Sequence, residues 1–190
     1  TVRRLAPRAK ILLALSDLHF LRQVRDAVAG EGALSTAVDT RQRELEAIRQ
    51  VDLTLSYNPV EHAVILSHNL GTGQVALAPW VVDPETDVLP LAERRDIAFL
   101  GSYAHPPNMQ AVRFFASGVM PLLRERLPGV AFRVYGSRWP ASVTSAMSDD
   151  DVVFEGFVDS VADAFGRCRV AIAPLISGAG LKGKVVDALA

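Results

Sequence analysis

Residues 170–184 read Val-Ala-Ile-Ala-Pro-Leu-Ile-Ser-Gly-Ala-Gly-Leu-Lys-Gly-Lys, and Val-Val-Asp follows directly. The apolar run from Val170 to Ala173 predicts a fully buried strand, and the residues from Leu181 onward predict a helix. A glycine-rich turn joins the two elements. Because strands that alternate with helices form parallel sheets, this stretch predicts an α/β fold.

The same alternation continues toward the amino terminus. In the second half of the chain, we predict strands at 96–100, 130–135 and 152–154, and helices at 108–126, 141–147 and 159–167. In the first half, we predict strands at 11–15, 52–56 and 74–78, and helices at 18–29 and 40–50. Asn58-Pro59-Val-Glu61 supplies a cap, a first-turn proline and a first-turn acid for one more helix. Both halves are therefore expected to contain parallel sheets.

Prolines separate the two halves. Pro79, Pro84 and Pro90 interrupt an extended stretch that suits an interdomain linker, so we place the domain boundary near residue 93. The expected domains are residues 1–93, linker included, and residues 94–190. The chain opens on Thr1, and its last helical pattern has no stop signal, so we expect a fragment with both domains incomplete.

Composition excludes several classes of protein. Among the 190 residues, 49% are hydrophobic and 22% are charged, which is the balance of a protein with a core rather than a disordered chain. The net charge of -1 gives no electrostatic reason to expect a nucleic-acid partner. The single cysteine, Cys168, lies among apolar residues and is interpreted as core filling. No apolar run reaches the roughly 18 residues of a spanning helix, so we expect a cytoplasmic protein.

The glycine-rich turn is a candidate anion site. The free N–H groups of a helix start can face a phosphate, Gly178 and Gly180 permit close approach, and Lys182 or Lys184 adds positive charge. The spacing also satisfies part of the P-loop pattern, but Val185 stands where a magnesium-binding hydroxyl is required, which argues against an NTPase. The alternative is a glycine-rich turn with solvated lysines.

Other polar residues follow predicted strands, and each has a structural alternative. Gly101 and Ser102 leave room for a ligand, and nearby Asn108 either contributes to that site or caps a helix. Asp187 could accept hydrogen bonds from ribose hydroxyls or simply complement the helix dipole. His19 could face a ligand or help to start a helix. No cysteine or carboxylate cluster accompanies the histidines, so we predict no metal site.

Taken together, these segments resemble the retaining GT-B glycosyltransferases of the group 1 family. The resemblance rests on Phe99-Leu-Gly-Ser-Tyr-Ala-His-Pro-Pro-Asn108, Leu127-Pro-Gly-Val-Ala-Phe-Arg-Val-Tyr-Gly136, Val153-Phe-Glu-Gly-Phe-Val-Asp159 and the glycine-lysine stretch. Asp17-Leu-His-Phe-Leu-Arg22, Glu61 and Pro79-Trp-Val-Val-Asp-Pro84 add to it in the first half. The resemblance therefore covers nearly the whole chain.

The resemblance implies two Rossmann-like domains that transfer a sugar from a nucleotide-diphosphate sugar, with retention, to a glycan, lipid or other acceptor. It implies catalytic roles for His19 and Lys184, and donor binding by Gly101, Ser102, Asn108, Gly178, Ala179, Gly180, Lys182 and Asp187. No cofactor is implied besides the donor substrate, and peripheral membrane contact could come through regions outside this chain. The expected partners are therefore the donor and a carbohydrate or lipid acceptor.

The sequence departs from the family at two positions. Many relatives have two glutamates separated by seven residues, whereas this chain has Ala179 and the shorter Asp187. Two alternatives thus stay open: a nucleotide-sugar-binding module without turnover, and a sugar-nucleotide epimerase on the same fold.

Overall fold

The computed structural model describes residues 2–30, 32–68, 70–71, 74–85, 89–176 and 180–190. The described chain divides into two compact units. Unit 1 runs to Val81, and Gly180 and Leu181 also belong to it by their contacts. Unit 2 begins at Val82 and includes the rest. The stretch that we predicted as a linker is thus divided between the two units.

Unit 1 is built on a parallel sheet of three strands in the order β1-β2-β3. Its described elements are α1 (Val2–Leu5), β1 (Leu12–Leu15), α2 (His19–Val28), α3 (Leu34–Gln50), β2 (Leu53–Ser56), α4 (Pro59–Ser67) and β3 (Gln74–Leu77). Leu18, Phe20, Leu45, Ile48 and Ile65 form its buried core. Helices α2, α3 and α4 therefore bury their apolar sides against one another and the sheet, whereas α1 has no buried residue.

Helix α4 begins where the sequence predicts. The Asn58 side chain accepts a hydrogen bond from the Val60 N–H at 2.9 Å, and Pro59 occupies the first helical position. The first-turn acid does more than complement the helix dipole. Glu61 is only 2% exposed, and its Oε2 accepts a hydrogen bond from the Leu18 N–H at 3.0 Å. This carboxylate therefore connects α4 to the chain that enters α2.

Unit 2 is built on a parallel sheet of four strands in the order β6-β5-β4-β7. Its described elements are β4 (Arg95–Leu100), α5 (Pro106–Phe114), a π-helical turn (Phe115–Val119), α6 (Met120–Arg126), β5 (Phe132–Tyr135), α7 (Ala141–Met147), β6 (Val152–Gly156), α8 (Val161–Phe165), β7 (Cys168–Ala171) and α9 (Gly183–Leu189). Phe99, Val112, Phe115, Phe132 and Val134 lie in its core. The predicted α/β alternation is thus confirmed in both units.

Two sequence predictions in unit 2 are wrong in detail. The helix predicted over 108–126 is not one regular helix, because a π-helical turn separates α5 from α6. Strand β7 is not fully buried, since Val170 is 49% exposed. In the described sheet β7 lies at the edge, with β4 as its paired neighbour. The interpretation of Cys168 as core filling is confirmed, because the residue is buried.

None of the described helices is both long and apolar enough to cross a lipid bilayer.

Candidate functional site

The loop after β4 is shaped by glycines that pack against polar side chains. A Cβ at Gly101 would lie 2.7 Å from Cγ of Asn108, which is closer than real side chains approach. The Gly101 carbonyl accepts a hydrogen bond from Trp139 Nε1 at 3.0 Å. Gly136 has a φ of 129°, and a Cβ there would collide with the Gly101 carbonyl oxygen. Glycine is therefore required where β4 and β5 end.

Asn108 lies at the centre of this loop rather than at the start of the helix. It is the third residue of α5 and only 6% exposed, while His105 occupies the cap position. Its Nδ2 donates to the Ser102 carbonyl at 2.9 Å, and its Oδ1 accepts from Lys184 Nζ at 2.7 Å. The interpretation of Asn108 as a helix cap is wrong. The amide instead joins the first loop of unit 2 to its last helix.

Lys184 places a partly buried charge at the same point. Its ammonium nitrogen lies 2.7 Å from Asn108 Oδ1 and 4.2 Å above the centroid of the Phe99 ring. Burial, and next the positive charge of Lys182, lower the pKa of Lys184 to about 8. The alternative of a fully solvated lysine is therefore wrong at this position. A buried lysine with a lowered pKa is a candidate for a functional site, because such shifts cluster there.

A cavity of about 360 Å³ lies next to this cluster, at the carboxyl ends of β5 and β6. Ser102 Oγ donates to the Ser137 carbonyl at 3.2 Å, which ties the Gly101 loop to the wall of the cavity. The cavity is lined by Gly136, Ser137, Arg138, Trp139, Thr144, Ser148, Phe154, Gly156 and Phe157. This cavity was not predicted from the sequence. The available signal was the pair Gly136 and Gly156, each at a strand end and followed closely by an aromatic residue.

The structure thus brings together Gly101, Ser102, Asn108 and Lys184 of the predicted site. Lys182 occupies the N-cap position of α9, two residues before Lys184. Asp187 lines a different cavity of about 480 Å³, together with Arg94, Val161 and Phe165 among others. Gly178 and Ala179 lie outside the described residues.

Gly180 belongs to unit 1, where its backbone fits closely. Its N–H donates to Glu61 Oε1 at 2.6 Å, so both oxygens of this buried carboxylate accept backbone hydrogen bonds. Gly180 has a φ of 74°, and a Cβ there would lie 2.9 Å from the Ser16 carbonyl oxygen and from Asp17 Cβ. Both the backbone angle and the space require glycine.

His19 is the first residue of α2, and its side chain is 53% exposed. Its Nδ1 lies 3.1 Å from Glu44 Oε1, and its Nε2 lies 3.4 Å from Asp17 Oδ1. Glu44 also accepts the backbone N–H groups of His19 and Phe20, at 2.9 and 3.1 Å. The imidazole therefore lies between two carboxylates, and Glu44 supplies the cap that the start of α2 requires.

No group of three or more His, Cys, Asp or Glu side chains in the described part of the chain is placed to hold a metal ion. In the group formed by Gly101, Ser102, Asn108 and Lys184, the charged residue is Lys184, and Lys182 lies near it.

Solved structures share this fold at low sequence identity. HepE of Anabaena, crystallised with UDP and glucose, matches with a TM-score of 0.59 at 14% identity, over 98% of this chain and 52% of its own. A mutant of S. aureus TarM, crystallised with Fondaparinux, alpha-GlcNAc-glycerol and UDP, matches with a TM-score of 0.59 at 9% identity, over 80% of this chain and 30% of its own. The GtfA/B complex matches with a TM-score of 0.53 at 11% identity, over 80% and 31%.

These matches confirm the predicted GT-B type of fold with its parallel sheets. The chain spans between 30% and 52% of the length of these structures. No curated protein sequence matches it. A family model described as Glycosyl transferases group 1 matches residues 94–190, which are just over half of the chain. The chain therefore belongs to the Glycosyl transferases group 1 family.

Proposed function

We propose that this chain contributes the donor side of a glycosyltransferase, which moves a sugar from a nucleotide-diphosphate sugar to an acceptor with retention of configuration. The observation that carries the proposal is the environment of Lys184. Its ammonium is partly buried against Phe99 and a neutral amide, at the carboxyl end of a parallel strand. Ligands of open α/β sheets bind at that edge.

The chemistry of the leaving group explains the need for a lysine. When the bond between the sugar and the diphosphate breaks, the departing phosphate gains negative charge. A cation held in place beforehand stabilises that charge without reorganising at the moment of reaction. Lys184 provides such a cation, and the proposal requires no cofactor besides the donor.

The cavity beside the cluster suits the nucleoside of the donor. Its lining includes Trp139 and Phe154, whose rings lie 5.2 Å apart between centroids, and glycine backbone at two strand ends. Aromatic walls with exposed backbone groups can stack against a base and hydrogen-bond its edge. TarM and HepE were crystallised with UDP. Uridine diphosphate is therefore the first ligand to test.

We also propose, from the family resemblance, that Gly178, Ala179 and Gly180 approach the donor and that Lys182 supports the diphosphate. A role for Asp187 at the ribose is implied by the resemblance alone, because Asp187 lines the cavity of about 480 Å³ and not the cavity proposed for the nucleoside. His19 is proposed to contact the sugar. The same resemblance suggests a carbohydrate or lipid acceptor and a role in glycan biosynthesis.

The donor proposal is tested by calorimetric titration of the chain with UDP, GDP and ADP. We expect saturable binding of one of them, and at least a tenfold loss of affinity in Lys184→Met, about 1.4 kcal/mol. Lys10→Met is the matched control, because Lys10 is an exposed lysine of unit 1 and should leave binding unchanged. Lack of binding by the unmodified chain, or equal binding by Lys184→Met, would contradict the proposal.

Transfer with retention is tested on the protein that contains this chain. The coupling constant of the anomeric proton in the new glycosidic linkage, measured by NMR, reports the configuration of the product. We expect the same anomeric configuration as in the donor. The opposite configuration would exclude retention.

A further inference from the structure

We propose that Asn108 is a positioning residue, which holds the Lys184 ammonium in place without neutralising its charge. This inference deepens the proposed function. One consequence rests on that function, namely that the charge of Lys184 stays available to the phosphates of a bound nucleotide.

Each end of the amide has a defined partner. Nδ2 donates to the Ser102 carbonyl at 2.9 Å, which fixes the orientation of the side chain. The carbonyl end must then face Lys184, and Oδ1 accepts from Nζ at 2.7 Å. An amide turned the other way would place N–H donors against an ammonium group. The network therefore determines which atom the lysine meets.

The surroundings keep the amide from moving. Asn108 is buried, and Gly101 packs so closely on it that a single added carbon would touch Cγ. The Gly101 carbonyl is held in turn by the indole N–H of Trp139. Because the Asn108 side chain is enclosed in this way, its Oδ1 offers the Lys184 ammonium a hydrogen-bond acceptor in a fixed position.

Asparagine and aspartate side chains have nearly the same shape, but they would have opposite effects on the charge available at Lys184. A carboxylate at position 108 would form an ion pair with Lys184 and cancel the positive charge that a diphosphate needs. It would also place a second acceptor against the Ser102 carbonyl and repel the phosphates directly. The amide of Asn108 therefore orients the Lys184 ammonium without placing a negative charge against it.

The state of Lys184 agrees with this geometry. Burial first, and then the positive charge of Lys182, lower its pKa to about 8. The Phe99 ring and the Asn108 carbonyl are the neutral groups that face the ammonium. A carboxylate at position 108 should raise the pKa of Lys184, whereas an apolar residue should lower it.

The experiment measures the pKa of Lys184 without any ligand, by NMR titration of the chain carrying ¹³C-labelled lysine. Asn108→Asp should raise this pKa by at least one unit, and Asn108→Leu, which removes the acceptor at similar volume, should lower it. Asn58→Asp is the matched control, because it adds the same charge at a helix cap of unit 1 that aspartate also fills. A purely structural role would change folding without shifting the pKa in opposite directions. An unchanged pKa in the folded Asn108→Asp chain would overturn the inference.

A second arm measures UDP binding by calorimetry at pH 7. Asn108→Asp should weaken binding at least tenfold although the lysine remains protonated, and Asn58→Asp should bind as the unmodified chain does. Equal or tighter binding by Asn108→Asp would refute the claim that the amide keeps the charge available. If the unmodified chain binds no nucleotide, the proposed function fails, while the pKa comparison still decides whether Asn108 positions Lys184.

Discussion

Lys184 lies in surroundings that favour an uncharged side chain, although an anion site needs it charged. The glycine-lysine stretch predicted this lysine from sequence, because the residue types of an anion site are local and recognisable. Its partner could not be predicted in the same way. Asn108 lies 76 positions earlier in the chain, and nothing local indicates that the two side chains meet. Contacts at that separation depend on the order of the strands in the sheet.

The depressed pKa of Lys184 predicts a specific dependence of stability on pH. The folded value is about 8 and the ordinary value is 10.5, so between them the unfolded chain binds more protons. The burial penalty on the charged lysine is therefore complete below pH 8 and disappears as pH rises toward 10.5. Relative to Lys184→Met, the unmodified chain should gain about 1 to 2 kcal/mol over this window, after allowance for solvent screening.

Urea denaturation of both chains at pH 7 and pH 10 measures this gain. A stability difference that stays constant between the two pH values would show that Lys184 is not desolvated in the folded state.

At the scale of elements, the sequence predicted what is encoded locally. Asn58 followed by Pro59 marks the start of α4, because a side-chain acceptor and a missing N–H are local properties of a helix end. The π-helical turn after α5 and the exposure of β7 were missed. The exposure of a strand depends on its place in the sheet, and the apolar residues of β7 resemble those of a central strand. The cavity at the carboxyl ends of β5 and β6 was not predicted, because its walls come from two separate strand ends.

The cap of α4 allows a direct measurement of one local signal. Asn58→Ala should lower the free energy of unfolding by about 1 kcal/mol, because the Val60 N–H loses its acceptor at the helix end. Asn58→Ser keeps an acceptor and should cost much less. Thermal denaturation of the three chains makes the comparison. Equal losses for alanine and serine would show that the side-chain hydrogen bond does not stabilise α4.

At the scale of the whole molecule, the contacts divide the chain between Val81 and Val82, whereas the sequence predicted a domain boundary near residue 93. A proline-rich stretch near the middle indicated two domains. The assignment of Gly180 and Leu181 to unit 1 had no sequence signal, because it depends on Glu61, which lies 119 positions earlier. In the sequence, Glu61 looked like an ordinary first-turn acid.

Glu61→Gln tests how much the chain depends on this carboxylate. Glutamine has one acceptor oxygen, so either Leu18 or Gly180 would lose its partner and face an N–H group. We expect a loss of about 1 to 3 kcal/mol in the free energy of unfolding, with faster hydrogen exchange at the Gly180 or the Leu18 amide. Glu46→Gln, on the exposed surface of α3, is the matched control. Unchanged exchange at both amides would show that Glu61 does not hold them.

The fit of Gly180 against Ser16, Asp17 and Glu61 also affects how the chain can be divided into separate polypeptides. Although the two units meet in sequence at Val81 and Val82, a break in the chain at that point would not yield two self-sufficient polypeptides. The shorter product would keep a buried carboxylate with one oxygen unoccupied, and the longer one would carry a small piece of the other's interior. Sequence exchange between relatives at this point would therefore have to keep Glu61 and Gly180 together as an inherited pair.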